Sequence, residues 1–212
     1  HALLGPAYDE QDIAAALAHA RLPSRRSPDI AAAAAQLLAK GKVLGWFQGR
    51  MEFGPRALGA RSIIASPQEA AMQDRLNELK DREDFRPVAP AVLEEAAADW
   101  FERGERSPFM LFTDKVRPDK WVRIPAVRHV DGSARVQTVD ARTNPLFHAL
   151  ICAFAQETGV PVVVNTSFNV RGEPIVCTPR DALAAFCTSP IDALAIGPYL
   201  LEKPVLTGGA AP

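Results

Sequence analysis

Three stretches of this chain carry more polar and conformationally special residues than a structural element needs. The first runs from Gln48 to Ser62 and interleaves Arg50, Arg56 and Arg61 with Gly49, Gly54 and Gly59. The second runs from Asn77 to Pro87 and mixes Lys80, Arg82 and Arg86 with Asp81, Glu83 and Asp84. The third, Val164 to Pro174, sets Asn165, Thr166, Ser167 and Asn169 directly after an apolar run. Arginine offers a planar fork of donors that matches phosphate oxygens. Glycine lets backbone approach a ligand closely. Short polar side chains at the C-terminal end of a strand lie where α/β sheets gather ligands. The chemistry these residues suit is the gripping of a phosphorylated anion.

Each stretch also has a plainer reading. The first suits a surface turn with solvated arginines. The second suits an internally paired charge run beside a helix C-terminus, where cations are favourable anyway. The third suits a turn held by side-chain-to-backbone bonds. A weaker fourth stretch, Arg128 to Arg135, contains His129, the turn pair Asp131-Gly132 and Arg135. A lone histidine there is more often structural than catalytic. The sequence holds no Walker loop, dinucleotide fingerprint, H-E-x-x-H helix or G-x-S-x-G elbow.

The elements that must position these residues alternate along the chain. Gln11 to Arg21 is an Ala-rich helical stretch with Asp9 as its cap, and Leu22 to Pro28 reads as a linker. Asp29 to Lys40 is a helix stopped by Gly41, and Lys42 to Gln48 and Arg61 to Ala65 are strands. Gln68 to Asp81 is an amphipathic helix with Ala71, Met72, Leu76 and Leu79 on one face. Strands are expected over Val88 to Leu93, Phe109 to Val116 and Ala134 to Val139. Asn144 to Thr158 is the clearest helix, with Pro145 in its first turn and Gly159 behind it. Pro161 to Val164 is a strand and Pro179 to Cys187 a helix, followed by strands at Ala193 to Ile196 and Tyr199 to Leu201. This mixture predicts an α/β or α+β sheet with helices packed against it. Residues 1–28 read as a linker and the end of a preceding domain, 29–205 as one domain and 206–212 as a tail.

Composition bounds the function. The 212 residues suit one compact domain with extra terminal sequence. Hydrophobic residues make up 48% and charged ones 23%, which allows a sizeable core and excludes a disordered tail. A net charge of -1 supplies no global field toward nucleic acid or membrane, so an anion site has to be local. No apolar run approaches a membrane span and no signal peptide is visible, which points to the cytoplasm. Cys152, Cys177 and Cys187 are scattered and odd in number, and are expected as buried thiols of a reducing compartment. His1, His19, His129 and His148 lack ligand spacing, so no metal site is expected in this chain.

Taken together, the four stretches resemble the carbamoyltransferase C-terminal domain family. Gly49 to Ser62 is similar to its GxxEFGPRALGxRS signature, and Lys80 to Pro90 to its KxRExFRPFAP segment. His129 to Gln137 resembles HVDGTARVQ, and Asn165 to Val176 resembles NTSFNxxGEPIV, with Val88 and Ser133 as small departures. The family includes the O-carbamoyltransferases of nodulation-factor and antibiotic biosynthesis. The resemblance covers Asp29 to Lys203 and implies a YrdC-like fold, a twisted mixed β-sheet with flanking helices.

It also implies a site and a reaction. Lys80 and Arg82 match a Lys-x-Arg pair, and Ser167 and Asn169 a Ser-x-Asn pair, that bind nucleotide in related enzymes. ATP and carbamoyl phosphate are the implied substrates, carbamoyl-adenylate and pyrophosphate the products. Attack at phosphorus asks for in-line positioning and for neutralisation of about six negative charges, together with Mg²⁺. The remaining pool of binding residues is Arg50, Arg56, Arg61, Arg86, His129, Arg135, Asn165 and Thr166, with Glu52 and Glu173 expected to pair with arginines. The implied partner is an actin-like acceptor-transfer domain preceding this one, which would carry Fe²⁺ or another metal on its own histidines. The chain begins at His1, and its first residues read as the end of such a preceding unit. Two other readings share the fold: a threonylcarbamoyl-adenylate synthase of tRNA modification, and a non-catalytic RNA-binding module. The first is not expected to carry the Gly54 to Gly59 run. The second sits poorly with the charge balance and the lack of basic-aromatic interleaving.

Overall fold

The computed structural model describes residues 1–204, so the expected tail at 206–212 lies outside the described residues. In chain order the elements are α1 (Glu10–Ala20), β1 (Arg25–Arg26), α2 (Ile30–Ala39), β2 (Leu44–Phe47), β3 (Arg61–Ala65), α3 (Ala71–Leu79), β4 (Ala89–Leu93) and α4 (Ala97–Trp100). They continue as β5 (Thr113–Lys115), β6 (Ser133–Arg135), β7 (Gln137–Val139), α5 (Pro145–Thr158), β8 (Val162–Ser167), α6 (Pro179–Thr188), β9 (Ala193–Ile196) and β10 (Tyr199–Glu202).

Local chemistry sets the helix ends. Asp9 accepts from the Asp12 amide while Asp12 accepts from the Asp9 amide, a reciprocal capping box. Asp29 accepts from the Ala32 amide at 2.9 Å and starts α2. Asn144 caps α5 ahead of Pro145, and Gly159 closes it at φ 70°.

The strands form a mixed sheet in the order β1-β10-β9-β2-β3-β8-β4-β7, with a separate β5-β6 pair. Among the described residues, β2/β9 and β4/β7 are the pairs that run parallel. Trp46, Phe47, Ile63, Ile64, Phe147, Phe154 and Phe168 are fully buried, each contributing roughly 1.5–3 kcal/mol by leaving water. Helices α2 and α5 pack on one another, and α1 packs on α6. The segment before Asp29 therefore joins the domain: Ile13 and Leu17 are core residues, and the stretch read as a linker supplies edge strand β1. Backbone pairing to β10 makes that strand, which its polar side chains did not announce.

Three other elements differ from expectation. The expected strand Phe109 to Val116 is a strand only over β5, because Met110 turns the chain at φ 55°, and Phe109, Leu111 and Phe112 stay exposed. Ala134 to Val139 is two strands: β6 pairs with β5, and β7 with β4, the chain changing partners at Val136. Ala71 is exposed rather than on the buried face of α3, since Met72, Leu76 and Leu79 already fill it.

Candidate anion-binding site

Helix α3 ends in a turn that aims two cations at one cavity. The Arg82 amide bonds the Asn77 carbonyl at 3.1 Å and the Asp81 amide bonds the Glu78 carbonyl at 2.9 Å. Asp81 is left-handed at φ 45°. This is a Schellman C-cap in which aspartate takes the place glycine usually fills. Lys80 and Arg82, on either side of it, both line a cavity of about 630 Å³, within the range of roughly 300–1,000 Å³ typical of small-molecule sites. Asp81 also lines it and pairs with Arg171 on the facing loop.

Lys80 is only 9% exposed. Its Nζ donates to Asn169 Oδ1 at 2.7 Å, to the Ser167 carbonyl at 2.7 Å and to Ser167 Oγ at 3.1 Å. Ser167 Oγ in turn donates to Asn169 Oδ1 at 2.6 Å. Burial, and then the charge of Arg82, push the Lys80 ammonium down to about 7. β8 carries this group because it runs on to Ser167, three residues beyond the expected strand end, paired with Ser62 of β3. Within the strand, Asn165 Nδ2 donates to the Ala57 carbonyl and to Gln137 Oε1, and Ser167 contacts Lys80.

Arg82 is fixed by a residue that the sequence reading did not single out. Asn77 is fully buried, and its Oδ1 accepts from Arg82 Nε at 2.7 Å. Its Nδ2 donates to the Asp84 and Arg86 carbonyls at 2.7 and 3.0 Å. One side-chain amide thus holds both Arg82 and the loop behind it. The only signal in the sequence was an asparagine beside the apolar face of an amphipathic helix.

Arg82 also lines two further cavities. One, of about 300 Å³, is shared with Arg56, Arg86, His129 and Arg135. The other, of about 110 Å³, is shared with Arg56, Arg135, Asn165, Thr166 and Ser167. No carboxylate belongs to the described lining of either. Burial, then Arg56 and Arg82, lower the Arg135 guanidinium. Burial lowers the His129 imidazole, whose Nδ1 lies 3.1 Å from Ser133 Oγ. Cations held together away from carboxylates are costly unless an anion completes them.

Two arginines of the first stretch lie elsewhere. Arg61 is wholly buried, with its guanidinium 3.6 Å over the Phe47 ring. It donates to the carbonyls of Gln48, Ala60 and Gly49 at 2.9, 3.0 and 3.2 Å. Burial drags it down to about 10, and it lines none of the three cavities. Arg50 donates to the Leu4 carbonyl at 2.6 Å and is likewise outside them. Spacing put them with the site, but Arg61 belongs to a strand buried throughout, and its side chain serves the Gln48 to Gly49 turn. Arg86 reaches two of the cavities while pairing with Glu83 at 2.8 Å.

Glu52 forms no ion pair among the described residues. Its Oε1 accepts from the amides of Leu58, Ala60 and Arg61 at 2.6, 2.7 and 3.3 Å, which folds the loop that presents Arg56. Glu173 is exposed, and among the described ion pairs it has no arginine. The cysteines are less buried than expected: Cys187 is exposed on the seam between α1 and α6, and Cys152 and Cys177 are half-buried. His148 lies 2.8 Å from Glu95 through Nε2 and 3.5 Å from Cys152 through Nδ1. His148 and Cys152 stand four residues apart on α5, so one face of the helix presents both.

The mixed sheet with flanking helices, which brings a lysine, several arginines and short amides to linked cavities, is an α/β domain of the YrdC-like fold class. Its fold is shared with the crystal structure of full-length HypF in the phosphate- and nucleotide-bound form, at TM-score 0.51 and 17% identity over 85% of this chain and 22% of that one. It is shared too with P. abyssi Sua5 complexed with L-threonine, at TM-score 0.52 and 15% identity over 82% of this chain and 47% of that one. The chain belongs to the family described as carbamoyltransferase C-terminus, whose model matches residues 35–203.

Relatives include nodulation protein NolO of Bradyrhizobium diazoefficiens, 50% identical over 86% of this chain and 34% of the relative. Another is the 3'-hydroxymethylcephem-O-carbamoyltransferase of Amycolatopsis lactamdurans, 48% identical over 72% of this chain and 29% of the relative. The chain thus spans about a third of the length of these relatives. Among the described residues no helix is long and apolar enough to cross a membrane.

Proposed function

We propose that this chain forms carbamoyl-adenylate from ATP and carbamoyl phosphate, as the adenylating part of an O-carbamoyltransferase that passes the carbamoyl group to a small-molecule hydroxyl. The observation that carries this reading is the position of Arg82, which lines all three cavities and so joins a nucleotide-sized space to two smaller arginine-lined ones. Family membership and O-carbamoyltransferase relatives support it.

Carbamoyl phosphate and water give carbamate and phosphate. A carbamate oxygen then attacks the α-phosphorus of ATP, the bond from that phosphorus to the bridging oxygen breaks, and pyrophosphate leaves with the electron pair. Such a displacement needs positioning and charge neutralisation more than proton transfer. Lys80 and Arg82 meet the triphosphate, and Ser167 and Asn169 donate to phosphate or ribose oxygens once released from Lys80. Arg56 and Arg135, which line both smaller cavities, hold the carbamoyl phosphate, Asn165 and Thr166 wall the smaller of the two, and His129 stands in the larger one beside it. Asp81 and Glu83 are already paired with Arg171 and Arg86. The described lining therefore does not fit a Mg²⁺ held by protein carboxylates.

The adenylate passes to an acceptor-transfer domain elsewhere in the same longer protein, in the cytoplasm. The test is incubation of the chain with ATP and carbamoyl phosphate, with pyrophosphate release and mass detection of carbamoyl-adenylate. Product with carbamoyl phosphate, and none with threonine plus bicarbonate, is expected. Product only with threonine plus bicarbonate overturns the assignment in favour of a threonylcarbamoyl-adenylate synthase.

A further inference from the structure

We infer that Asn165 reads the amino group of the carbamoyl donor, so that the smallest of the three cavities separates carbamoyl phosphate from acetyl phosphate. The inference rests on the function proposed above and assigns one atom a specificity role within it.

Asn165 sits in β8 and is 1% exposed. Its Nδ2 donates to the Ala57 carbonyl at 3.1 Å and to Gln137 Oε1 at 2.7 Å. Gln137 Nε2 donates onward to the Leu58 carbonyl at 2.9 Å. Both ends of this relay are main-chain carbonyls, which only accept. Turning either amide over would set oxygen against oxygen, so both orientations are fixed. Asn165 Oδ1 therefore faces away from the relay, and it is buried with no partner.

The residues around the same cavity carry the matching vacancies. Arg82 Nη2 and Arg135 Nε are also buried without partners, and both arginines line this space of about 110 Å³ with Asn165. Two guanidinium donors and one amide acceptor ask for a small anion that presents oxygens to the arginines and an N–H to the asparagine. Carbamoyl phosphate has that pattern. Acetyl phosphate has the same phosphate and nearly the same shape, with a methyl group in place of the amino group. It leaves Oδ1 buried and unpaired, the kind of mismatch that rejects an analogue strongly. Adenine also bears an amino group, but it is uncharged and brings no anionic oxygens to two guanidiniums.

Calorimetric titration of the chain with carbamoyl phosphate and with acetyl phosphate, each in the presence of α,β-methylene ATP, tests this directly. The wild-type chain should bind carbamoyl phosphate roughly 10- to 100-fold more tightly. Asn165→Ala should bring that ratio close to one, whereas a merely structural role would weaken both ligands alike. The wild-type ratio needs no variant, so it decides the matter even if Asn165→Ala fails to fold. Equal affinities in the wild type, or an unchanged ratio in a folded Asn165→Ala, overturn the role of Asn165 and leave the proposed function standing. Failure of both ligands to bind overturns the functional reading and this inference with it.

Discussion

Lys80 Nζ lies 2.7 Å from Asn169 Oδ1, a contact that ties the end of α3 to the loop after β8. The ammonium is thereby held among side-chain and main-chain oxygens, and an arriving phosphate must compete with them for it. Burial has also brought this lysine to about 7 from its usual 10.5.

That shift makes a pH prediction with a definite sign. Between about 7 and 10.5 the unfolded chain keeps the Lys80 proton and the folded chain does not. Stability therefore rises with pH across this window, and the cost of burying the charge is fully present below it. The urea midpoint of the wild type should climb relative to Lys80→Met as pH is raised from 7 to 10. ATP binding returns the proton, so affinity should fall by roughly tenfold per pH unit above 7. Proton uptake on binding, read by calorimetry in two buffers of different ionisation enthalpy, should vanish in Lys80→Met. A pH-independent affinity from 7 to 9 counts against Lys80 as a phosphate ligand.

The residue between the two cations is there for its backbone. Asp81 sits at φ 45°, where glycine is unstrained and a β-branched residue is not. Asp81→Gly should fold at least as well as the wild type, although it loses the exposed pair with Arg171, and should keep ATP affinity within a few-fold. Asp81→Val should cost about 1–2 kcal/mol in denaturation and weaken ATP binding at least tenfold, because Lys80 and Arg82 can no longer share one cavity.

The sequence and the structure agree best where periodicity and caps decide. Asp9, Asp29, Asn144 and Gly159 mark helix ends at or within a residue of where they fall. Motifs brought Lys80, Arg82, Ser167 and Asn169 into one reading, and in the structure they line one cavity. What could not be read was the direction of a side chain. Arg56 and Arg61 are five residues apart in one arginine-rich stretch, yet one faces the cavities and the other lies under the Gln48 to Gly49 turn. The break at Val136 was equally silent, because the apolar-polar alternation of Ala134 to Gln137 runs through it while the pairing partner changes. Asn77 and Gln137 escaped because their work is to hold backbone carbonyls that only the folded chain brings near.

Arg61 and Arg82 should separate stability from activity. Arg61→Met removes a buried guanidinium from several carbonyls and should lower unfolding free energy by roughly 3 kcal/mol or more. Any folded fraction should retain substrate affinity. Arg82→Met leaves the buried Asn77 Oδ1 without its partner and should cost about 1 kcal/mol, less than Arg61→Met, while reducing adenylate formation at least 100-fold. Arg82→Lys should recover little of it, because a lysine cannot bridge three cavities with a rigid fork. Equal loss of stability in both variants would remove the distinction drawn between them.

Asn77 offers the sharpest test of how the site is held. Its carboxamide makes three bonds, one to Arg82 Nε and two to carbonyls of the loop bearing Arg86. Asn77→Leu keeps the volume and removes all three, and should cost about 1–3 kcal/mol of stability. Asn77→Asp keeps the acceptor for Arg82 but sets an oxygen against the Asp84 and Arg86 carbonyls, so it should be no more stable than Asn77→Leu. The two variants should nevertheless differ in function. If Asn77 acts by aiming Arg82, the aspartate variant retains a lower KM for ATP than the leucine variant, because the guanidinium stays anchored. If Asn77 serves only the loop, both show the same KM in proportion to their stability. Steady-state kinetics at a temperature where both variants are folded distinguishes a positioning residue from a purely structural one.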